Sequence, residues 1–365
     1  NKHLNILKNK PDFYNQIFSD EEKWIISLFF RESTQKWSDE IGSAKDAFNF
    51  ATRQGLGSLL YLNEASETMS NEIINYLKSS YISQLSRNVA LQSVADDVVN
   101  KLQKIGVLSV LLKGNYLIRD IYPDSAMRFM SDIDILIPEN KSKEAFLLFG
   151  SESEFEKRDK LGHHLPTIKY NGVFVEIHTA LIDLNLKYTM PMDVVWESIS
   201  EDKNGLLSLN PIHLFVYQIL HIYYSYRLGS CRLGWFYDLK LIIKYYKLDI
   251  DSEEIAEFVK KNNFEEPYNL IINYYKVLID RFVVSAKEAV YILKLHNVII
   301  GEKDSSDIKL GYSIALERLR YSKSIKHKFI FLKYILTVDK GNEKIGFFKR
   351  LIYILNNIFK VLFRK

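Results

Sequence analysis

The stretch that decides the fold reads VLSVLLKGN at residues 107–115, RFMSDIDILI at 128–137 and VFVEIH at 173–178. The first block is a short apolar run that ends at a glycine, which is typical of a buried strand followed by a turn. In the other two blocks apolar residues alternate with other side chains, which is typical of strands with two different faces. Together the blocks predict a small sheet in the middle of the chain.

Alternation along the strands places acidic side chains together. Asp132 and Asp134 share one face of their strand, and Glu176 and His178 share one face of the third block. If the two strands are neighbours, three carboxylates meet at one place, and like charges that close need a cation between them. Mg²⁺ prefers oxygen ligands and keeps coordination sites open for phosphates. We therefore expect a two-metal site for phosphoryl or nucleotidyl transfer.

The composition is that of an ordinary globular protein with a large aromatic core. The chain has 365 residues, 47% of them hydrophobic and 26% charged, and contains 23 Tyr and 22 Phe. Its length predicts two or three structural units. A formal net charge of +4 does not favour a nucleic-acid-binding protein.

Cysteine content and hydropathy indicate the cellular compartment in which the protein is expected. Cys231 is the single cysteine, which excludes an internal disulfide and fits a reducing compartment. We find no signal peptide and no apolar run near the roughly 18 residues that span a bilayer. The expected location is the cytoplasm.

Residues 1–105 are expected to form an all-helical unit. Ser19 and Glu22 have the spacing of a capping box, which predicts the start of a helix. A second helix is expected over 43–53. A long helix is expected over 71–104, where apolar residues recur every three or four positions.

Residues 106–182 are expected to form a small mixed sheet with two helices. Asn171-Gly172 between two apolar runs is the strongest short hairpin signal in the chain. Besides the strand that carries Asp132, we expect strands at 107–112, 155–158, 164–170 and 173–178 and helices at 115–121 and 141–149.

Residues 183–365 again predict helices, and Pro211 is well placed in the first turn of the first of them. The polar, charged stretch 303–307 predicts a linker. The expected helices lie at 211–221, 233–246, 252–262, 267–282, 286–295, 308–320, 325–336 and 347–363.

Several motifs resemble a known family in their order and spacing. They are LKG at 112–114, YPD at 122–124, RxxxDID at 128–134, VEIH at 175–178 and RLxWxxD at 232–238. The set resembles the bacterial uncharacterised nucleotidyltransferase family of the polymerase-β-like superfamily, from the N-terminal helices to at least Tyr246. DID alone is unspecific, whereas the ordered set is specific. The resemblance implies an α+β fold, in which a small polymerase-β-like mixed sheet is flanked by N-terminal and C-terminal helical units.

The resemblance also implies roles for individual residues. Asp132 and Asp134 would bind Mg²⁺ (or Mn²⁺), and Glu176 would be the third carboxylate, which ligates the catalytic metal and activates an incoming hydroxyl. Gly114 would open a helix whose N-terminus faces the triphosphate. The superfamily usually has Gly-Ser or Gly-Gly at this turn. Because this chain has Gly114-Asn115, we expect Lys113 or backbone N–H groups to bind the phosphates instead.

Other polar residues near these motifs have two interpretations each. Lys113 is either a phosphate ligand or a solvated turn residue, and Arg128 either binds substrate phosphate or pairs with Asp132. His163 and His164 are adjacent, so on a strand they would point to opposite faces, which argues against a shared zinc ion. For His164 we expect a contact with substrate or phosphate.

Three residues are expected near a substrate cleft: His178, Arg232 and Asp238. Arg232 or Asp238 would contact the base, the ribose or the acceptor. They are six positions apart, too far for a pair within one helix. A buried Asp238 needs a partner, so the alternative is a structural ion pair.

These observations predict a Mg²⁺-dependent enzyme that moves a nucleoside monophosphate from an NTP to an acceptor and releases pyrophosphate. The acceptor is expected to be a small molecule, a peptide or a protein, since no basic stripe accompanies the site. One alternative is a catalytically degenerate module that binds nucleotide or a partner protein, as in some toxin–antitoxin pairs. The other is a glycosyltransferase that holds a nucleotide-sugar with Asp-x-Asp.

The last segment, 346–365, predicts a basic amphipathic helix. Its apolar spacing favours packing on the helical unit. Weak contact with an anionic membrane surface is the alternative.

Overall fold

A small mixed β-sheet lies between two groups of α-helices, so the predicted α+β fold is confirmed. The computed structural model describes residues 14–329, apart from residues 15–16, 157–161, 204, 280–284, 302–305, 323–324 and 326. The helix predicted at 347–363, most of the one at 325–336 and the whole basic segment 346–365 lie outside the described residues. No helix in the described part of the chain combines the length and the hydropathy needed to span a bilayer.

The N-terminal helices begin where the sequence places capping residues. Ser19 and Glu22 form the predicted capping box, and the side chain of Ser43 accepts a hydrogen bond from the N–H of Asp46 at the next helix. The helices are α1 (Asp20–Phe30), α2 (Ala44–Arg53), α3 (Gly57–Tyr61) and α4 (Asn71–Lys104). The sequence had not predicted α3, which has five residues and is too short to show a period.

The central part of the chain contains four strands in the order β1-β2-β4-β3. β1 is antiparallel to β2, β2 is parallel to β4, and β3 is antiparallel to β4. The elements are β1 (Val110–Leu111), α5 (Lys113–Asp120), β2 (Asp132–Leu136), α6 (Ser142–Phe146), α7 (Glu152–Glu156), β3 (Ile168–Tyr170) and β4 (Val173–His178).

The hairpin predicted at Asn171-Gly172 is confirmed. The two residues have φ angles of +49° and +81° and join β3 to β4. This backbone conformation suits asparagine and glycine and matches the twist of the two strands. The turn thereby determines which face of β4 carries Glu176.

The strand predicted at 155–158 is wrong, because residues 152–156 form the helix α7. Ser151 and Glu154 make a capping box there. The N–H of Ser151 donates to Oε2 of Glu154 at 2.8 Å, and the N–H of Glu154 donates to Oγ of Ser151 at 3.4 Å. A local cap therefore outweighs the β propensity of Phe155. Two other predicted strands are shorter than expected, since only Val110–Leu111 of 107–112 and Ile168–Tyr170 of 164–170 form strands. The strand predicted at 173–178 is confirmed with the same bounds.

The C-terminal part is helical apart from a two-stranded sheet that the sequence had not predicted. These strands have two residues each, too few for a periodic pattern. The elements are α8 (Met192–Glu197), β5 (Ser200–Glu201), β6 (Leu207–Ser208), α9 (Pro211–Arg227), α10 (Leu233–Tyr246), α11 (Glu253–Lys261), α12 (Glu265–Leu278), α13 (Ala286–Ile300) and α14 (Ser306–Tyr321).

One continuous hydrophobic core joins all three parts of the chain. Ile133 and Ile135 lie on the face of β2 opposite the acidic residues and are fully buried. Val98 of α4 and Phe215 of α9 are also fully buried. The apolar face of β2 is thus held in the core, and its acidic face is left for a cleft. The predicted division into units 1–105, 106–182 and 183–365 stays a prediction.

We expect the stability of the protein to fall in mild acid. Burial lowers the pKa of His296 from 6.5 to about 4. Since the folded protein binds this proton more weakly than the unfolded chain, the free energy of unfolding falls as the pH drops from 6.5 towards 4, by about 1.4 kcal/mol per pH unit. Urea unfolding of the wild type and of His296→Gln across this range should show that the variant lacks this part of the slope.

Above pH 7 both proteins carry an uncharged side chain at this position, so their pH profiles should be parallel there. A variant that keeps the whole acid slope of the wild type would contradict this assignment.

Candidate active site

The parallel pairing of β2 and β4 places Asp134 directly beside Glu176. Both side chains therefore lie on the same face of the sheet, as the alternation predicted. His178, two residues further along β4, donates a hydrogen bond from Nε2 to Oδ1 of Asp134 at 2.8 Å and lies 3.8 Å from Oε2 of Glu176. The pairing creates a cluster of two carboxylates and one imidazole.

This cluster has a donor set that fits a divalent cation. Asp134, Glu176 and His178 each offer one ligand atom, and these atoms lie within 4.8 Å of one another. Mg²⁺ prefers a site made only of oxygen ligands, whereas Mn²⁺ readily accepts two carboxylate oxygens and one imidazole nitrogen. Among the described residues this group contains His178 and not Asp132, so metal binding by Asp132 stays a prediction.

Asp132 lies beside this cluster and lines the cleft described below. It pairs with Phe174 in the ladder, one pleat away from Glu176, which explains why its carboxylate is not part of the group. Burial and the neighbouring charge of Asp134 raise the pKa of Asp132. This shift shows that the two aspartates interact electrostatically.

Lys113 is the strongest cationic partner of the cluster. Its Nζ lies 2.7 Å from Oδ1 of Asp134. Burial by itself raises the pKa of Asp134, but Lys113 and the hydrogen bond from His178 outweigh burial and lower the pKa. Burial also lowers the pKa of His178, against the effect of Asp134. Asp134 is therefore an anion with a cation already at its side.

The turn before α5 brings the chain close to the cleft. Gly114 lines the cleft, and a Cβ atom there would lie 2.1 Å from Nη1 of Arg128 and 2.5 Å from Sδ of Met130. Any larger residue here would require the side chains of Arg128 and Met130 to move. Asn115 is 1% exposed and donates from Nδ2 to the carbonyl of Asp132 at 3.0 Å, so its side chain holds β2. The side chain of Asn115 thus has a structural role, and phosphate binding at Gly114 and Asn115 through their backbone N–H groups stays a prediction.

Arg128 pairs with Asp238, not with Asp132 as one interpretation had expected. Its Nε and Nη2 donate to the two carboxylate oxygens of Asp238, both at 2.8 Å. This geometry is the bidentate contact that a guanidinium makes best. Asp238 is 0% exposed and sits beneath the cleft, whereas Arg128 reaches the cleft wall. The structural ion pair that the sequence left open for Asp238 is therefore present.

Contacts from all parts of the chain hold Arg128 in place. Tyr122 donates to Oδ1 of Asp238 at 2.7 Å, and Gln218 donates from Nε2 to Oδ2 at 3.4 Å. On the other side, Nδ2 of Asn88 in α4 donates to the carbonyl of Arg128 at 2.8 Å. The guanidinium is thus positioned by α4, α9 and α10 together.

A cleft with a volume of about 190 Å³ lies between the acidic face of β2 and α10. Arg232 lines it, with its guanidinium 5.6 Å from the ring of Phe129 and 4.9 Å from that of Trp235. The ring of His221 packs edge-to-face against Trp235, with 4.8 Å between the ring centroids, and burial lowers the pKa of His221 to about 3. The lining residues are Lys113, Gly114, Arg128, Phe129, Met130, Ser131, Asp132, Asp134, His221, Arg232 and Trp235.

The N-terminal unit positions Arg232. Gln54 accepts two hydrogen bonds at 2.9 Å from the first turn of α10, one from the N–H of Leu233 to its side chain and one from the N–H of Gly234 to its carbonyl. A Cβ atom on Gly234 would lie 2.8 Å from that carbonyl oxygen. This close contact explains why the motif around Arg232 contains a glycine.

His163 and His164 do not point to opposite faces, because their segment bends instead of forming a regular strand. Their rings lie 5.2 Å apart, and the ring of His178 lies 5.2 Å from His163 and 5.7 Å from His164. Nδ1 of His164 donates to the carbonyl of Leu165 at 2.9 Å. His164 is not among the described residues that line the cleft, so its phosphate contact stays a prediction.

Sequence reasoning did not single out Phe129, Trp235 and His221 as cleft residues. Phe129 precedes the acidic strand and has no polar signal. His221 and Trp235 occur on different helices, and only their packing brings them together. The spacing of Trp235 from Arg232 in the RLxW motif was the one available signal.

Acidic side chains from two neighbouring strands, a glycine turn at a helix N-terminus and nearby arginines are features typical of phosphate-transfer sites. A family model described as "uncharacterised nucleotidyltransferase" matches residues 43–280. The chain belongs to this family. Comparison with curated proteins and with solved structures finds no match.

We expect Asp238→Ala to destabilise the protein by about 3–5 kcal/mol, because it leaves the guanidinium of Arg128 buried without its partner. Urea unfolding at neutral pH measures the loss. The matched control is Asp251→Ala, which breaks an equally short pair with Lys276 at 2.7 Å in which the Asp251 side chain is 71% exposed. This control should cost less than about 1 kcal/mol. Equal losses in the two variants would refute the structural role of Asp238.

Proposed function

We propose that the protein is a Mg²⁺- or Mn²⁺-dependent nucleotidyltransferase. It moves a nucleoside monophosphate from an NTP to a hydroxyl or similar group of a small molecule, peptide or protein. The observation that carries the proposal is the pairing of Asp134 with Glu176 beside His178, in a chain of a nucleotidyltransferase family. Its donor set fits the cation that this chemistry uses.

Asp134, Glu176 and His178 would hold the divalent cation, and a bound cation supplies neutralisation of the charge that develops on the phosphates. Asp132 lies at the cleft next to this cluster and would complete the acidic site for a second cation. Lys113, the N–H groups at the start of α5 and the cleft-facing side of Arg128 would bind the outer phosphates.

The reaction forms a bond between the acceptor oxygen and the α-phosphorus and breaks the bond from that phosphorus to the pyrophosphate oxygen. Glu176 is the residue proposed to take the acceptor proton. Its side chain is 26% exposed, and Oε1 accepts a hydrogen bond from Oγ1 of Thr167 at 3.4 Å, so the carboxylate is both accessible and oriented. Pyrophosphate leaves with the electron pair of the broken bond.

A small molecule, peptide or protein remains our proposed acceptor, and a nucleic acid is disfavoured by the net charge of +4. Two of the three lysine and arginine residues described at the cleft, Lys113 and Arg128, already pair with Asp134 and Asp238. The buried Cys231 is consistent with the proposed cytoplasmic location.

A catalytically degenerate nucleotide-binding module is the second candidate, because Lys113 occupies the side of Asp134 that a cation would use. Such a module would bind nucleotide without metal and release no pyrophosphate. The glycosyltransferase alternative is less favoured, since the described residues before Asp132 contain helices and only one strand, the two-residue β1, and thus no separate nucleotide-binding sheet.

The direct test incubates the protein with each NTP and Mg²⁺ or Mn²⁺, and follows pyrophosphate release and nucleotide mass added to the protein or to lysate components. We expect Asp134→Ala to lower an observed rate about 100-fold or more, because it removes a ligand that stabilises charge in the transition state. Asp251→Ala is the control and should retain the rate. Equal activity of Asp134→Ala and the wild type would eliminate the proposed site.

A second prediction concerns the aromatic wall of the cleft. If Trp235 stacks on the nucleobase, Trp235→Ala should weaken nucleotide binding by about tenfold, since stacking contributes about 1–3 kcal/mol per base. Binding of inorganic tripolyphosphate, which has no base, should change less than twofold. Calorimetry with both ligands separates the two effects. Equal weakening of both would exclude stacking by Trp235.

A further inference from the structure

Lys113 combines a strained backbone with a short contact to the acidic cluster. It has a φ of +46°, in the left-handed region that residues other than glycine and asparagine rarely adopt. Such strain persists only where the surroundings hold it, and it occurs preferentially at functional sites. Here the conformation starts α5 and directs the side chain to Asp134.

The contact of Lys113 is with the same oxygen that the cation site needs. Oδ1 of Asp134 accepts from Nζ of Lys113 at 2.7 Å and from Nε2 of His178 at 2.8 Å. A divalent cation that binds this carboxylate would lie close to the ammonium, and two cations at that separation repel each other strongly in a site with little water. Asp134 is only 4% exposed, so solvent screens this repulsion poorly.

The nucleotide offers Lys113 another partner. Lys113 and Gly114, in the first turn of α5, line the same cleft as Arg128. A polyphosphate bound there carries several negative charges within reach of a flexible four-carbon side chain. Transfer of the ammonium from Asp134 to the polyphosphate would free the carboxylate as the substrate arrives.

We propose that Lys113 is a built-in counter-ion of Asp134 that excludes divalent cations from the nucleotide-free site and moves to the polyphosphate when nucleotide binds. This inference rests on the proposed function and adds an order to it: the cation binds tightly only with the nucleotide. Lys113 is thereby a positioning residue for Asp134 in the nucleotide-free protein and a phosphate ligand in the nucleotide-bound protein.

The test measures binding of Mn²⁺ alone to the nucleotide-free protein by electron paramagnetic resonance. Lys113→Met should tighten Mn²⁺ binding at least tenfold. Lys113→Gly, which removes the ammonium and suits the positive φ, should do the same and covers the case in which the first variant folds poorly. In EDTA, calorimetry should show that both variants bind tripolyphosphate at least tenfold more weakly.

Lys276→Met is the matched control, because Lys276 also lies 2.7 Å from an aspartate and is similarly exposed, 22% against 20% for Lys113. It should change neither affinity by more than twofold. A purely structural role of Lys113 would lower stability without tightening Mn²⁺ binding, so unchanged or weaker Mn²⁺ binding in both Lys113 variants overturns the inference.

The double variant Lys113→Met/Asp134→Ala separates this inference from the proposed function. Loss of the gained Mn²⁺ affinity in the double variant supports competition at Asp134, and persistence of the gain overturns it. If the wild type and both single Lys113 variants bind Mn²⁺ equally and Asp134→Ala abolishes binding, the metal site stands and the counter-ion role fails. If Asp134→Ala has no effect on Mn²⁺ in any background, the proposed metal site fails as well.

Discussion

The buried ion pair between Arg128 and Asp238 is the interaction on which the cleft depends. Removing two charges from water is costly, and the cost is offset only where the geometry is bidentate and the remaining lone pairs are satisfied. Both conditions hold here, since Tyr122 and Gln218 complete the hydrogen bonding of the carboxylate. The pair joins the loop before β2 to α10, and Asn88 ties the same loop to α4. The cleft exists because these contacts hold three parts of the chain around one guanidinium.

Asp134 shows how a carboxylate can be kept charged on a buried strand. Its neighbours on β2 are fully buried isoleucines, so burial works against its ionisation. Lys113 and His178 compensate from two sides. A residue stabilised in this way is an anion before any ligand binds, which is what a cation site requires. In the function proposed above, the ammonium of Lys113 would compete with a metal ion from solution for Oδ1 of Asp134. The contact that stabilises the charged carboxylate in the free protein would then weaken metal binding.

Much of the fold was accessible from local patterns. The capping box of Ser19 and Glu22 marked α1, the apolar period marked α4, and Asn171-Gly172 marked the β3–β4 hairpin. Prediction failed where the signal was short or where two local preferences competed. Ser151 and Glu154 cap a helix in a segment whose Phe155 favours a strand, and β5 and β6 have too few residues to show alternation. The adjacency of β2 and β4 was a hypothesis that the ladder confirms, and with it the proximity of Asp134 and Glu176.

The identity of the acidic residues and the face they share follow from alternation along each strand, which is a property of the backbone and needs no knowledge of the rest of the chain. Contacts between residues that are far apart in the sequence do not follow from this alternation. That Arg128 contacts Asp238, that Lys113 contacts Asp134, and that His178 contacts Asp134 depend on register and packing between segments far apart in the chain. Such contacts are decided by which arrangement buries the apolar faces and pairs the buried charges at the same time, and no single segment contains that information.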